Sequence, residues 1–80
     1  MVQVRIRNNF ADITEVFSVD MTIRQILAEK EQAIDGCTVS LDGYALSASD
    51  MGKTLLQHGY DGTTGKDRCN LTIVAKTNNA

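Results

Sequence analysis

Apolar and polar residues alternate from the first residues of the chain: Val2, Val4 and Ile6 are separated by Gln3, Arg5 and Arg7. That period of two is the pattern of a β-strand with one buried and one wet face. Asn8-Asn9-Phe10-Ala11-Asp12 supplies turn-tolerant residues, and Ile13 to Val19 reads as a second strand that completes a hairpin. Its phase places Phe17 and Val19 inside and Val16 outside. Thr22 followed by Gln25 has the form of a capping box, which starts a helix. Ile23, Ile26, Leu27 and Ile34 then fall on one stripe. Gly36, after Asp35, suits a left-handed helix terminus, so the predicted helix covers about 22–33.

Beyond the helix, Cys37, Val39 and Leu41 alternate with Thr38 and Ser40. Asp42-Gly43 is a two-residue hairpin signal leading to a short strand through Ala45 and Leu46. Residues 47–60 lack sustained periodicity. They read as a connection with a helical turn after Ser49-Asp50, its Leu55, Leu56 and Tyr60 pinned under the sheet. A glycine-containing loop follows over 61–68. The last strand points Cys69, Leu71, Ile73 and Ala75 inward and Asn70, Thr72, Val74 and Lys76 outward. One domain is expected over 1–77, with a disordered polar tail over 78–80.

This order of elements resembles the β-grasp fold, and the chain looks like a ubiquitin-like protein. The residues that carry the likeness are Met1 to Ile6 opening as a strand, Val19 leading into Thr22-Ile23 and Ile26, and Leu41-Asp42-Gly43 with Leu46. Lys53-Thr54-Leu55 before Tyr60, and Leu71 with Ile73, complete it. The resemblance implies an α+β fold with ββαββ order. Its mixed sheet would be ordered 2-1-5-3-4, with the first and last strands parallel at the centre and a right-handed crossover between them.

The functional groups of that family are only partly matched. The sequence ends in Asn78-Asn79-Ala80 and contains no Gly-Gly, so adenylation at a flexible terminus for conjugation or sulfur transfer is not expected. Positions matching the ubiquitin receptor patch are Ser40, Val74 and the hairpin tip. Only Val74 is apolar, and ordinary ubiquitin receptors are not expected to bind. Iron–sulfur clusters of the β-grasp type need four thiolates, against Cys37 and Cys69 here.

Composition narrows the remaining classes. Hydrophobic residues make up 42% of the 80 residues, too many for a disordered chain, and no apolar run approaches the ~20 residues of a membrane span. Eight Lys and Arg against ten Asp and Glu leave a net charge of −2, which removes a whole-domain footprint for nucleic acid. The two cysteines belong to no zinc or redox spacing. In the sheet order that the resemblance implies, both would open antiparallel neighbouring strands, so they are expected about 15 Å or more apart at ~3.3 Å per residue, as reduced inward thiols. Gly52-Lys53-Thr54 lacks the first glycine of a phosphate loop, since position 47 is Ser47. His58 stands alone and reads as structural.

What remains is surface. Arg5 and Arg7 on the first strand should stand beside Val74 and Lys76 on the last, forming a basic patch with an apolar centre. Phe10 at the hairpin tip is a candidate interface anchor, or else a plug over the sheet end, and Tyr44 is a second aromatic candidate. The expectation is a cytoplasmic, monomeric, non-catalytic protein-binding module without cofactor or metal, whose candidate contact residues are Arg5, Arg7, Phe10, Val74 and Lys76. Two alternatives belong to other classes. One is a degenerate carrier protein handled by an activating enzyme. The other is a weak nucleic-acid binder using Arg5, Arg7, Lys76 and nearby Lys66 or Arg68.

Overall fold

A computed structural model describes residues 1–76; the expected tail over 78–80 lies outside them. The strands are β1 (Val2–Arg7), β2 (Asp12–Phe17), β3 (Cys37–Leu41), β4 (Tyr44–Ala45) and β5 (Arg68–Ala75), and the helices are α1 (Ile23–Glu29) and α2 (Ala48–Met51). They build a small α+β domain whose mixed five-stranded sheet runs β2-β1-β5-β3-β4. β1 pairs antiparallel with β2 and parallel with β5, with Ile6 beside Leu71. The alternation along β1 is complete: Val2, Val4 and Ile6 are buried and Gln3, Arg5 and Arg7 exposed. Ile23, Ile26 and Leu27 of α1 join them, Leu55, Leu71 and Ile73 in one core cluster. No helix among the described residues is long and apolar enough to cross a membrane.

Helix α1 starts as the capping box requires: Thr22 Oγ1 accepts from Gln25 N–H at 3.1 Å, and Gln25 Oε1 accepts from Thr22 N–H at 2.9 Å. It ends earlier than 33. After Leu27, the next positions on the buried stripe are Lys30 and Glu31, and continuing would drive charges into the core. The chain instead turns left-handed at Glu31, φ +55°. Glu31 N–H donates to Ala28 O at 3.0 Å and Gln32 N–H to Leu27 O at 2.9 Å, the paired bonds of a Schellman terminus. Lys30 then reaches Glu15 of β2, 2.5 Å away, tying the helix end to the sheet edge.

Other features also differ from the sequence reading. β2 stops at Phe17 because Ser18 O accepts from Met21 N–H and begins a turn; Val19 still packs against the core. α2 begins before Ser49, since Asp50 is the reciprocal partner of the Ser47 cap rather than a cap itself. Leu56 is 49% exposed, not pinned under the sheet, whereas neighbouring Leu55 is wholly buried. Ala75 is exposed because a cavity bounded by Phe10, Gln32 and Cys37 opens at that end of the sheet in place of core. The Asp42-Gly43 hairpin forms with both residues at positive φ, +48° and +91°, as its two-residue turn demands.

Cys37 lies opposite Ala75, six positions along β5 from Cys69, about 20 Å at ~3.3 Å per residue. Both thiols are free. Cys69 is buried, but Cys37 is only half-buried, at the open end of the sheet.

Two backbone positions give opposite stability predictions. Replacing Glu31 by Gly removes a left-handed penalty of about 1–2 kcal/mol at an unfolded-chain entropy cost of about 0.4–1 kcal/mol. The variant should gain roughly 0.5–1 kcal/mol, read as a higher midpoint in urea. Gly62 has φ +88°, and a Cβ there would meet Met1 N at 2.9 Å and Met1 O at 3.1 Å. Gly62→Ala should therefore lose about 2–3 kcal/mol through strain and backbone displacement; an unchanged urea midpoint would contradict that close approach.

Candidate functional site

Because α1 covers one face of the sheet, the other is open, and the strand register fixes what stands on it. Gln3, Arg5 and Arg7 of β1 lie between Val16, Thr14 and Asp12 of β2 and Arg68, Asn70 and Thr72 of β5. Val74 follows on β5 opposite Thr38 of β3. Val16 and Val74 are about half exposed, the two aliphatic side chains of the face that water reaches most.

Arg5 is not a free cation. Its Nε donates to Asp12 Oδ1 at 2.9 Å and its Nη2 to Asp12 Oδ2 at 2.6 Å. This fork pairing uses both carboxylate oxygens. It raises the guanidinium further above its ordinary value and holds the Asp12 carboxyl below the usual carboxylate range. Arg7, across from Asp12 and beside Thr72, forms no ion pair among the described residues. Neither does Arg68, which the sequence reading left in the preceding loop. Its signal was parity: position 68 continues the outward series of Asn70, Thr72 and Val74. Among the described residues, the free cations of this face are thus Arg7 and Arg68; Arg68 is four positions along β5 from Thr72, the neighbour of Arg7, an offset of about 13 Å at ~3.3 Å per residue.

The other expected contact residues separate from this cluster. Lys76 lies past the end of β5 and lines a different cleft, with Arg24 and Ile34. Phe10 is 97% exposed and does not plug the sheet end. It is held out by a tight turn in which Asn8 Oδ1 accepts from both Phe10 N–H and Ala11 N–H at 2.7 Å. The structure therefore brings together Arg5, Arg7 and Val74, adds Arg68 and Val16, and leaves Phe10 and Lys76 outside.

The groups with possible chemistry are occupied structurally. His58 Nε2 donates to Asp50 O at 2.8 Å, the carbonyl fixing the proton on that nitrogen, and joins the connection to α2. Tyr60 OH donates to Asp42 Oδ2, and Asp42 Oδ1 accepts from Asn70 N–H at 2.9 Å. Burial, reinforced by Asp42, raises the Tyr60 hydroxyl above its ordinary value. Burial, with Asp42 nearby, pushes the Cys69 thiol up to about 12. Lys53 faces Asp50 at 3.4 Å, so its ammonium does not project into a phosphate cradle. Among the described residues, no three His, Cys, Asp or Glu side chains are grouped to hold a metal ion.

No family model matches the chain, and no curated protein matches it significantly.

Two titrations check this electrostatic picture. At pH 8 a thiol raised to about 12 is thiolate in only about one molecule in 10⁴, and only thiolate reacts. Iodoacetamide should label Cys37 in the folded protein and Cys69 only after denaturation; equal native labelling would refute the assignment. Asp12, Asp50 and Asp61 are lowered by hydrogen bonds from Arg5, Ser47 and Thr63 respectively. Their stabilisation is fully present above the unfolded carboxyl value of about 3.9 and is lost as pH falls through their depressed folded values. The acid limb of the stability curve should flatten in Asp12→Asn.

Proposed function

We propose that this chain is a non-catalytic, ubiquitin-like β-grasp module that binds an acidic protein surface through the open face of its sheet. Support for the fold reading comes from parallel β1 and β5 at the sheet centre, with α1 lying across one face in the connection between β2 and β3. The binding reading rests on one observation. Among the described residues, Arg7 and Arg68 form no ion pair and stand on an uncovered face, flanked by exposed Val74 and Val16, while the carboxylates Asp12 and Asp42 are engaged by Arg5, Tyr60 and Asn70. Cations outside any close ion pair, beside accessible aliphatic surface, suit a partner that supplies carboxylates and apolar contact together. A reducing cytoplasmic setting fits two free cysteines too distant to bridge.

The reading is tested with wild-type protein and the Arg7→Glu/Arg68→Glu/Val74→Asp variant as paired baits in native lysate, followed by titration of any recovered partner. A partner bound by wild type should bind the variant at least about 100-fold more weakly, since interface charges and one apolar anchor act together. Its affinity should also fall with added salt. A partner that binds both baits equally would remove the open face from the reading.

A further inference from the structure

The sheet is incomplete along β3. That strand has five residues, but β4 pairs only with Ser40 and Leu41. Leu46 N–H adds one bond, to Val39 O at 2.8 Å, before the chain leaves for the Ser47 cap. Cys37, Thr38 and Val39 thus have β5 on one side and no strand on the other.

A cleft of about 280 Å³ lies along that unpaired stretch. Its floor is Ile34, Val39, Leu46 and Met51, and Ala48 of α2 forms the far wall. At its mouth are Arg24 and Lys76, both exposed and neither in an ion pair among the described residues. Arg24 is held there by an Nη2 bond to Ala48 O at 3.3 Å. Among the residues lining the cleft, Asp35 is the one carboxylate. An acidic chain therefore carries two cations at the mouth of an apolar cleft beside an unfinished sheet edge.

We propose that this cleft is a second binding surface that takes an extended acidic peptide segment as an added strand along Cys37–Val39, in line with β4. Two main-chain groups of that edge, the Cys37 carbonyl and the Val39 N–H, would bond the added strand, because the Cys37 N–H is taken by Ile34 O at 3.0 Å and the Val39 carbonyl by Leu46; alternate apolar side chains would enter the cleft over Val39 and Met51. Carboxylates flanking those side chains would meet Arg24 and Lys76. The assignment does not depend on the open face, whose residues lie on other strands and the opposite side of the sheet.

The probe is a synthetic seven-residue peptide, Asp-Asp-Val-Thr-Val-Asp-Asp, titrated into the 80-residue protein while backbone amides are followed by NMR. The proposal expects saturable shifts centred on Cys37–Val39. It also expects affinity to fall at least about tenfold for a Lys-flanked twin peptide, and at least about tenfold in Arg24→Glu/Lys76→Glu, whose exposed positions leave the core intact. A peptide N-methylated at its central residues should lose the shifts, because strand addition needs those N–H groups. Arg7→Glu/Val74→Asp should bind the peptide as wild type does, which keeps this surface separate from the open face. The proposal is overturned by any of three results: no saturation at millimolar peptide, equal binding of the Lys-flanked twin, or shifts confined to β2 or the open face. Concentration-dependent shifts of Cys37–Val39 without peptide would assign the edge to a second copy of the chain, and would equally overturn it.

Discussion

The parallel pairing of β1 with β5 is the constraint on which the remainder of the molecule depends. Two parallel neighbours cannot be joined by a tight turn; the chain must leave the sheet, cross it and return. Here everything between Arg7 and Arg68 makes that crossing, and α1 is laid over the shared apolar face of Val2, Val4, Ile6, Cys69, Leu71 and Ile73. Each such side chain contributes about 1.5–3 kcal/mol when fully buried, so the two central strands and α1 hold most of the core. The same pairing decides the opposite face. Strand parity that sends these six inward sends Arg5, Arg7, Arg68 and Val74 outward together, so the candidate site is the reverse side of the core.

Short elements around that centre are held by reciprocal local hydrogen bonds rather than by length. α1 spans seven residues and α2 four, too short to persist without help. Thr22 with Gln25, Ser47 with Asp50, and Thr54 with Gln57 each exchange two bonds, satisfying amides that a short helix or turn leaves open. The segment after α2 is then bonded back onto the start of α1. Ile23 N–H donates to Lys53 O, Leu55 N–H to Met21 O and Leu56 N–H to Val19 O. Leu55 enters the core only because this clamp places it there. Residues 47–60 therefore fold against α1 although they carry no periodic signal of their own.

That distinction also separates what the sequence disclosed from what it concealed. Periodic patterns and turn chemistry are local, and they located β1, the Asp42-Gly43 hairpin, the Thr22 cap and the buried residues of β5 from Cys69 to Ile73. The end of α1 was misread because Gly36 is an attractive terminus, whereas the helix stops where Lys30 and Glu31 interrupt the stripe and Glu31 accepts a left-handed conformation. At the site, parity assigned Arg5, Arg7 and Val74 to one face. It could not reveal that Asp12 sits diagonally across from Arg5 and occupies its guanidinium, because that depends on hairpin register. Arg68 was hidden by a strand boundary one residue too late, and Lys76 was grouped with the face although β5 ends before it.

The distribution of unpaired cations bears on how partners would be met. With a net charge of −2, the chain exerts no long-range attraction on an acidic molecule, and fields beyond about 8 Å are screened at physiological salt. Attraction must act locally, within a Debye length of Arg7 and Arg68 on one surface or of Arg24 and Lys76 on the other. Local charge of this kind favours orientation and discrimination over rapid capture. Each proposed surface offers two free cations and a small apolar area, a combination suited to short acidic segments with one or two aliphatic anchors.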